Sequence, residues 1–137
     1  LYNHLKGKAC EVFIAPFDVR LQEDTVVQPD LSVICDRHKI DQAGCRGAPE
    51  LVIQILSPST ARLDRITKRH KYHEAGVQGY WIVDPDLRSI ETLLLCDGVY
   101  MGQSEKSKQR ILHVFSVISA SPSASRSAAT RRSSSLN

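Results

Sequence analysis

Three polar residues stand where the chain could do chemistry: Asp30, Gln54 and Lys68. Asp30 follows Pro29 at the mouth of the apolar run Leu31-Ser-Val-Ile-Cys35. Gln54 lies mid-strand within Ala48-Pro-Glu-Leu-Val-Ile-Gln-Ile-Leu-Ser-Pro-Ser-Thr60, and strand alternation puts Leu56 on its face. Lys68 is spaced four residues from both Asp64 and Tyr72, so these three share one helical stripe. A carboxylate at a strand end, a second acid on the neighbouring strand and a nearby lysine make a metal-dependent phosphodiesterase centre. Hard oxygens hold Mg²⁺, the metal activates a water, and the lysine steadies that water or the developing negative charge. A neutral amide among apolar neighbours does not serve solubility. Taken alone it is a satisfied polar group, and Pro29-Asp30 taken alone is a turn.

The elements that must position these residues follow from pattern and punctuation. Leu1 to Lys6 reads as a helix end capped by Gly7. Strands are expected over Glu11–Ala15, Asp18–Leu21, Leu31–Cys35, Glu50–Leu56, Gly79–Val83 and Ser89–Leu95. Asp97-Gly98 marks a tight turn into Val99–Met101. Ser57-Pro-Ser-Thr60 starts a helix, with Ser59 able to cap and Asp64 in the first turns; it runs to about Ala75, where Gly76 ends it. Strands outnumber helices, which predicts an α+β or mixed α/β domain built on one sheet.

Composition bounds the rest. The 137 residues suffice for one domain with a single core, and the 42% hydrophobic and 24% charged fractions are those of a soluble globular protein. No apolar run approaches the ~20 residues that span a bilayer, and no signal peptide is visible. Cys10, Cys35, Cys45 and Cys96 form no C-x-x-C pair, which argues against a zinc site and a disulfide framework; they read as reduced thiols of a cytoplasmic protein. The five histidines show no metal-binding spacing. The net charge of +3 comes from Arg126, Arg131 and Arg132, since Leu1–Phe115 holds 15 basic and 15 acidic residues. Arg62, Arg65, Lys68, Arg69 and Lys71 form a basic helix face, read equally well as solvated or as contacting phosphates. His70 and His73 read as surface residues, and Tyr80 and Trp81 as sheet packing.

Val27-Gln-Pro-Asp30, Gly47-Ala-Pro-Glu-Leu-Val-Ile-Gln-Ile-Leu-Ser-Pro-Ser-Thr60, Lys68-x-x-x-Tyr72-x-x-Ala-Gly-Val77 and Tyr80-Trp-Ile-Val-Asp-Pro85 resemble the Uma-type family of restriction endonucleases, within the PD-(D/E)XK nuclease superfamily. The resemblance covers roughly Leu1 to Gly102. It implies a restriction-endonuclease-like fold, a central mixed sheet flanked by helices, here incomplete at both ends. It also implies hydrolysis of a DNA phosphodiester with Mg²⁺ or Mn²⁺ as cofactor, DNA as partner, no membrane, and a homodimer as the oligomer to consider. Asp30 matches the metal-binding aspartate, and Gln54 stands where the family usually has a glutamate, the second metal ligand. Lys68 matches the family's lysine, moved to the helix from the place where Leu56 stands. An amide brings no negative charge, so the resemblance implies a weakened or lost activity. Glu50 cannot replace it, being about 13 Å away along the strand.

Residues 1–115 thus read as a nuclease-like domain and 116–137 as a disordered Ser/Ala/Arg tail. The family's last strand and closing helix are expected to be missing, with that tail in their place. Three readings compete: a nuclease, a catalytically inactive member that binds DNA or protein, and a frameshifted, non-functional product. A basic DNA-binding arm is the alternative reading of the tail.

Overall fold

The computed structural model describes residues 9–59, 63–106, 109–112, 114 and 116. The expected helix end at Leu1–Gly7, the helix start at Thr60–Arg62, the side chain of Asp64 and the tail beyond residue 116 lie outside the described residues. Strands β1 (Glu11–Ile14), β4 (Leu31–Ile34), β7 (Leu51–Ile55), β8 (Gly79–Asp84), β9 (Ser89–Cys96) and β10 (Val99–Lys106) form a six-stranded sheet, in the order β1-β4-β7-β8-β9-β10. The β7–β8 pair is parallel and the other pairs are antiparallel. A second sheet, in the order β3-β2-β6-β5, is built from β2 (Val19–Gln22), β3 (Thr25–Val27), β5 (Ile40–Asp41) and β6 (Gly44–Arg46). The fold is mixed α+β.

A parallel strand pair needs a crossover, and a helix supplies it. It winds as a π-helix over Leu63–Lys68 and continues as α1, Arg69–Ala75. Gly76 ends it at φ 82°, with its N–H on the His73 carbonyl, as a left-handed glycine cap should. Tyr72, fully buried, anchors this helix on the main sheet beside Tyr80, with ring centroids 4.8 Å apart.

Strand β7 is covered on both sides, which explains its nearly unbroken apolar sequence. On the helix side lie Phe13, Ile34, Val52, Leu56, Tyr72, Tyr80, Ile82 and Leu93, joined by Val19, Leu21, Val27 and Cys45 of the second sheet. On the other side lie Leu31, Val33, Leu51, Ile53, Val83 and Ile90, with Ile111 and Val114 packed among them. Tyr80 and Trp81 are packing residues, as their sequence context suggests.

Three expectations need correction. The domain is not built on the one sheet expected but on two, the second escaping notice because its β5 and β6 are too short to show a period. The last expected strand, Val99–Met101, is longer than its sequence suggests: β10 runs to Lys106, residues 109–112 are helical, and Ile111 and Val114 are buried. Finally, Cys10 and Cys35 are not free thiols but a disulfide, with Cα atoms 3.9 Å apart. Antiparallel pairing of Glu11 with Ile34 places these cysteines opposite one another one step further on. A separation of 25 residues carries no trace of that register.

Gly44 shows how closely β6 is laid against the start of β2 within the second sheet. It sits at φ +131°, and a Cβ there would lie 2.1 Å from the Asp18 carbonyl oxygen. Gly76 has open space around it. Gly44→Ala is therefore expected to cost more than ~3 kcal/mol, and Gly76→Ala only ~1 kcal/mol for its left-handed backbone. Urea unfolding of both variants checks the order, and equal costs would refute it.

Candidate functional site

The last registered pair of β4 and β7 is Leu31 with Ile53, so one step further Asp30 stands opposite Gln54. Opposed residues share a face, with Cβ atoms about 5 Å apart. The Asp30 carboxylate is half-buried, and its Oδ2 accepts the Ile55 N–H at 2.7 Å. Its carbonyl accepts the Ala15 N–H of the chain leaving β1 at 3.0 Å. Asp30 thus finishes the β4–β7 ladder with a side-chain oxygen where a strand would use a carbonyl.

Gln54 is 3% exposed and donates through Nε2 to the Tyr72 hydroxyl at 2.9 Å. That bond explains how a neutral amide persists mid-strand: burial costs an amide ~1–3 kcal/mol unless it finds a partner. Lys68 is half-buried, one turn before Tyr72 on the same flank of the helix. Because the helix returns antiparallel to β7, Lys68 lies toward the strand end that carries Asp30. Ser32, two residues along β4 on the same face, is fully buried, and its Oγ has no partner among the described residues. Glu50 sits at the opposite end of β7, accepting the Cys35 N–H at 2.9 Å beside Lys39 at 3.8 Å. It cannot stand in for Gln54, as strand length implies.

The row runs on across the sheet, since Gln54 pairs with Ile82 and Ile82 with Glu91. Glu91 binds Arg65 at 3.1 Å and Arg69 at 4.0 Å, and Arg65 also approaches Asp84 at 3.7 Å. Of the basic helix face, Arg65 and Arg69 are therefore paired with acids of the sheet, while 40% and 43% of their side chains stay exposed. Their partners on β8 and β9 were not legible in the sequence, because nothing in it marks a pairing across 26 residues. His70 pairs with Glu74 at 2.9 Å, and His73 meets the Gly98 carbonyl at 2.6 Å; both serve the surface of the helix.

The structure brings Asp30 and Gln54 together and sets Tyr72 against Gln54, with Lys68 one turn earlier on the helix. The donor set is one carboxylate that accepts a backbone N–H and one neutral amide that donates to a tyrosine. Mg²⁺ relies on carboxylates and demands near-octahedral oxygen ligation. Among the described residues no group of three or more His, Cys, Asp or Glu could hold a metal ion. These residues do not fit a magnesium site. The partnership of Tyr72 with Gln54 escaped the sequence reading, although the four-residue spacing from Lys68 placed Tyr72 on the right stripe.

The architecture is that of a nuclease-type fold. It is similar to the crystal structure of "a putative nuclease belonging to DUF820" from Anabaena variabilis, with a TM-score of 0.58 at 18% identity, covering 77% of this chain and 60% of that one. Residues 1–122 match the Uma2 family, described as "Putative restriction endonuclease", and the chain belongs to that family. The match extends past Gly102, consistent with the closing strand seen here. An uncharacterised protein of Synechocystis sp., slr1290, is 34% identical over 83 residues, 59% of this chain and 44% of the relative. The chain thus spans less than two thirds of either protein. Among the described residues no helix is long and apolar enough to cross a membrane.

Tyr72→Phe removes the oxygen that the Gln54 amide needs and is expected to cost ~1–3 kcal/mol. Adding Gln54→Leu should recover most of that loss, since it removes the stranded donor. A urea double-mutant cycle measures the coupling, and additive losses would show that the two side chains do not depend on one another.

Proposed function

We propose that this protein engages DNA at the end of the main sheet marked by Asp30, on the side of the helix that carries Lys68 and with Gln54 buried behind them, and that it hydrolyses the phosphodiester only weakly or not at all. The observation that carries this reading is the opposition of Asp30 and Gln54 across β4 and β7, at the place where the family resemblance puts two metal-binding acids. Membership of an endonuclease family supports the class of substrate. Asp30 supplies a carboxylate at the rim of the sheet, and Lys68 is a helix cation that would meet a phosphate or steady a water. Gln54 fills the second acid's place without its charge, so a divalent cation would be held poorly.

A catalytically inactive DNA- or protein-binding member is the second reading, and the Gln54–Tyr72 hydrogen bond favours it. That bond gives Gln54 a structural task that is complete without a ligand.

Gln54→Glu separates the two. The new carboxylate, buried beside Asp30, should destabilise the protein without metal through desolvation and like-charge repulsion. Mg²⁺ or Mn²⁺ should restore the melting temperature and bind on the order of tenfold or more tighter than to the parent chain. Plasmid nicking should rise in parallel. Calorimetry that finds unchanged affinity would show that Gln54 does not face a metal site.

Lys68→Ala tests the other side of the centre. DNA affinity should fall modestly while any residual cleavage disappears. Arg65→Ala and Arg69→Ala should act first on stability, because each leaves Glu91 short of a partner. An equal loss of affinity in all three variants, with equal loss of salt dependence, would reduce Lys68 to a plain phosphate contact.

A further inference from the structure

We propose that the Cys10–Cys35 disulfide is a redox-sensitive clamp on the Asp30 end of the main sheet. Strand β1 is a strand of four residues at the edge of the sheet, and among the described residues its partner is β4 alone. It lies along β4 as a splint with two fixed ends. At one end the disulfide joins Cys10 to Cys35, just beyond the Glu11–Ile34 pair. At the other, the Ala15 N–H holds the Asp30 carbonyl at 3.0 Å, just beyond the Ile14–Leu31 pair. The Asp30 carboxylate in turn holds the Ile55 N–H. One covalent bond is therefore linked through a short ladder to the polar residue that closes β4 onto β7.

A four-residue edge strand has few hydrogen bonds of its own and belongs to the part of a fold that opens most readily. The disulfide offsets this by closing the loop from Cys10 to Cys35, which contains β2, β3 and Asp30. Both cysteines are half-buried at the margin of the core, and the exchange needs a thiol small enough to reach a sulfur there. The exchange is balanced. A thiolate RS⁻ attacks one cysteine sulfur, forming a mixed disulfide and releasing the other as a thiolate. A second RS⁻ then releases RSSR, so two electrons enter the protein and two protons complete its thiols. Freed of the bridge, β1 keeps Phe13 and Ile14 in the core but loses its covalent end. The Ala15 and Ile55 amides should then open more often. The clamp does not depend on what the Asp30 site does.

Amide hydrogen exchange on the full chain tests this, in the oxidised state, after reduction by a small-molecule thiol, and after reoxidation. Thiols counted after unfolding without reductant should number two in the oxidised protein, Cys45 and Cys96. In the folded protein Cys96 should alkylate first, because Cys45 is buried and its pKa is pushed up to about 11. On reduction, Ala15 and Ile55 should exchange about tenfold faster or more, reversibly. Leu56, whose N–H is held by Val83 on the far side of β7, should keep its rate. Cys10→Ser should match the reduced protein; if that variant does not fold, the reduced and reoxidised parent chain decides alone. The proposal is overturned if four thiols are free in the oxidised protein, if Ala15 and Ile55 do not respond, or if all amides accelerate by one common factor.

Discussion

Strand β7 is buried on both faces, and that constraint governs the rest of the structure. No polar group on it can turn to solvent, so each must be met from within. At its end the backbone N–H of Ile55 is met by the Asp30 carboxylate. On its helix face the amide of Gln54 is met by the hydroxyl of Tyr72. The side chains that look poised for chemistry therefore also hold the central strand in place. A glutamine at this position solves a packing problem that an ionised carboxylate beside Asp30 would make worse without a cation.

Much of this frame was legible because it rests on local rules. The apolar runs of β4, β7 and β8, the glycine that stops the helix and the four-residue spacing of Lys68 and Tyr72 all follow from period and punctuation. Asp30 and Gln54 stood out as polar residues at strand positions, and the sheet does oppose them. What could not be read depends on register between distant segments. The Cys10–Cys35 bridge needs β1 laid antiparallel on β4, and the Arg65–Glu91 pair needs the helix laid over β9. The β5–β6 hairpin is too short for any period to emerge. The closing strand was hidden differently: Gly102-Gln-Ser-Glu-Lys106 is polar because β10 is an exposed edge.

The charge distribution narrows how this protein could meet a polyanion. Leu1–Phe115 is neutral in sum, and two of the helix arginines are engaged by Glu91. The Leu1–Phe115 segment therefore sets no excess of positive charge against a polyanion. A surface of that kind confers little long-range steering, so recognition would rest on contact geometry.

The connectivity of the main sheet also sets an order of assembly. Strands β8, β9 and β10 form a meander whose turns span only a few residues, so their pairing closes short loops. The bond from Asp30 to Ile55 joins segments 25 residues apart, and β7 must also wait for the helix before it can lie beside β8. Contacts of larger sequence separation form later on average. The β8–β10 meander therefore comes first, and the joining of β7 to Asp30 and to β8 follows it. Substitutions there should show low φ-values and shorten the life of the folded state while leaving its rate of formation nearly untouched.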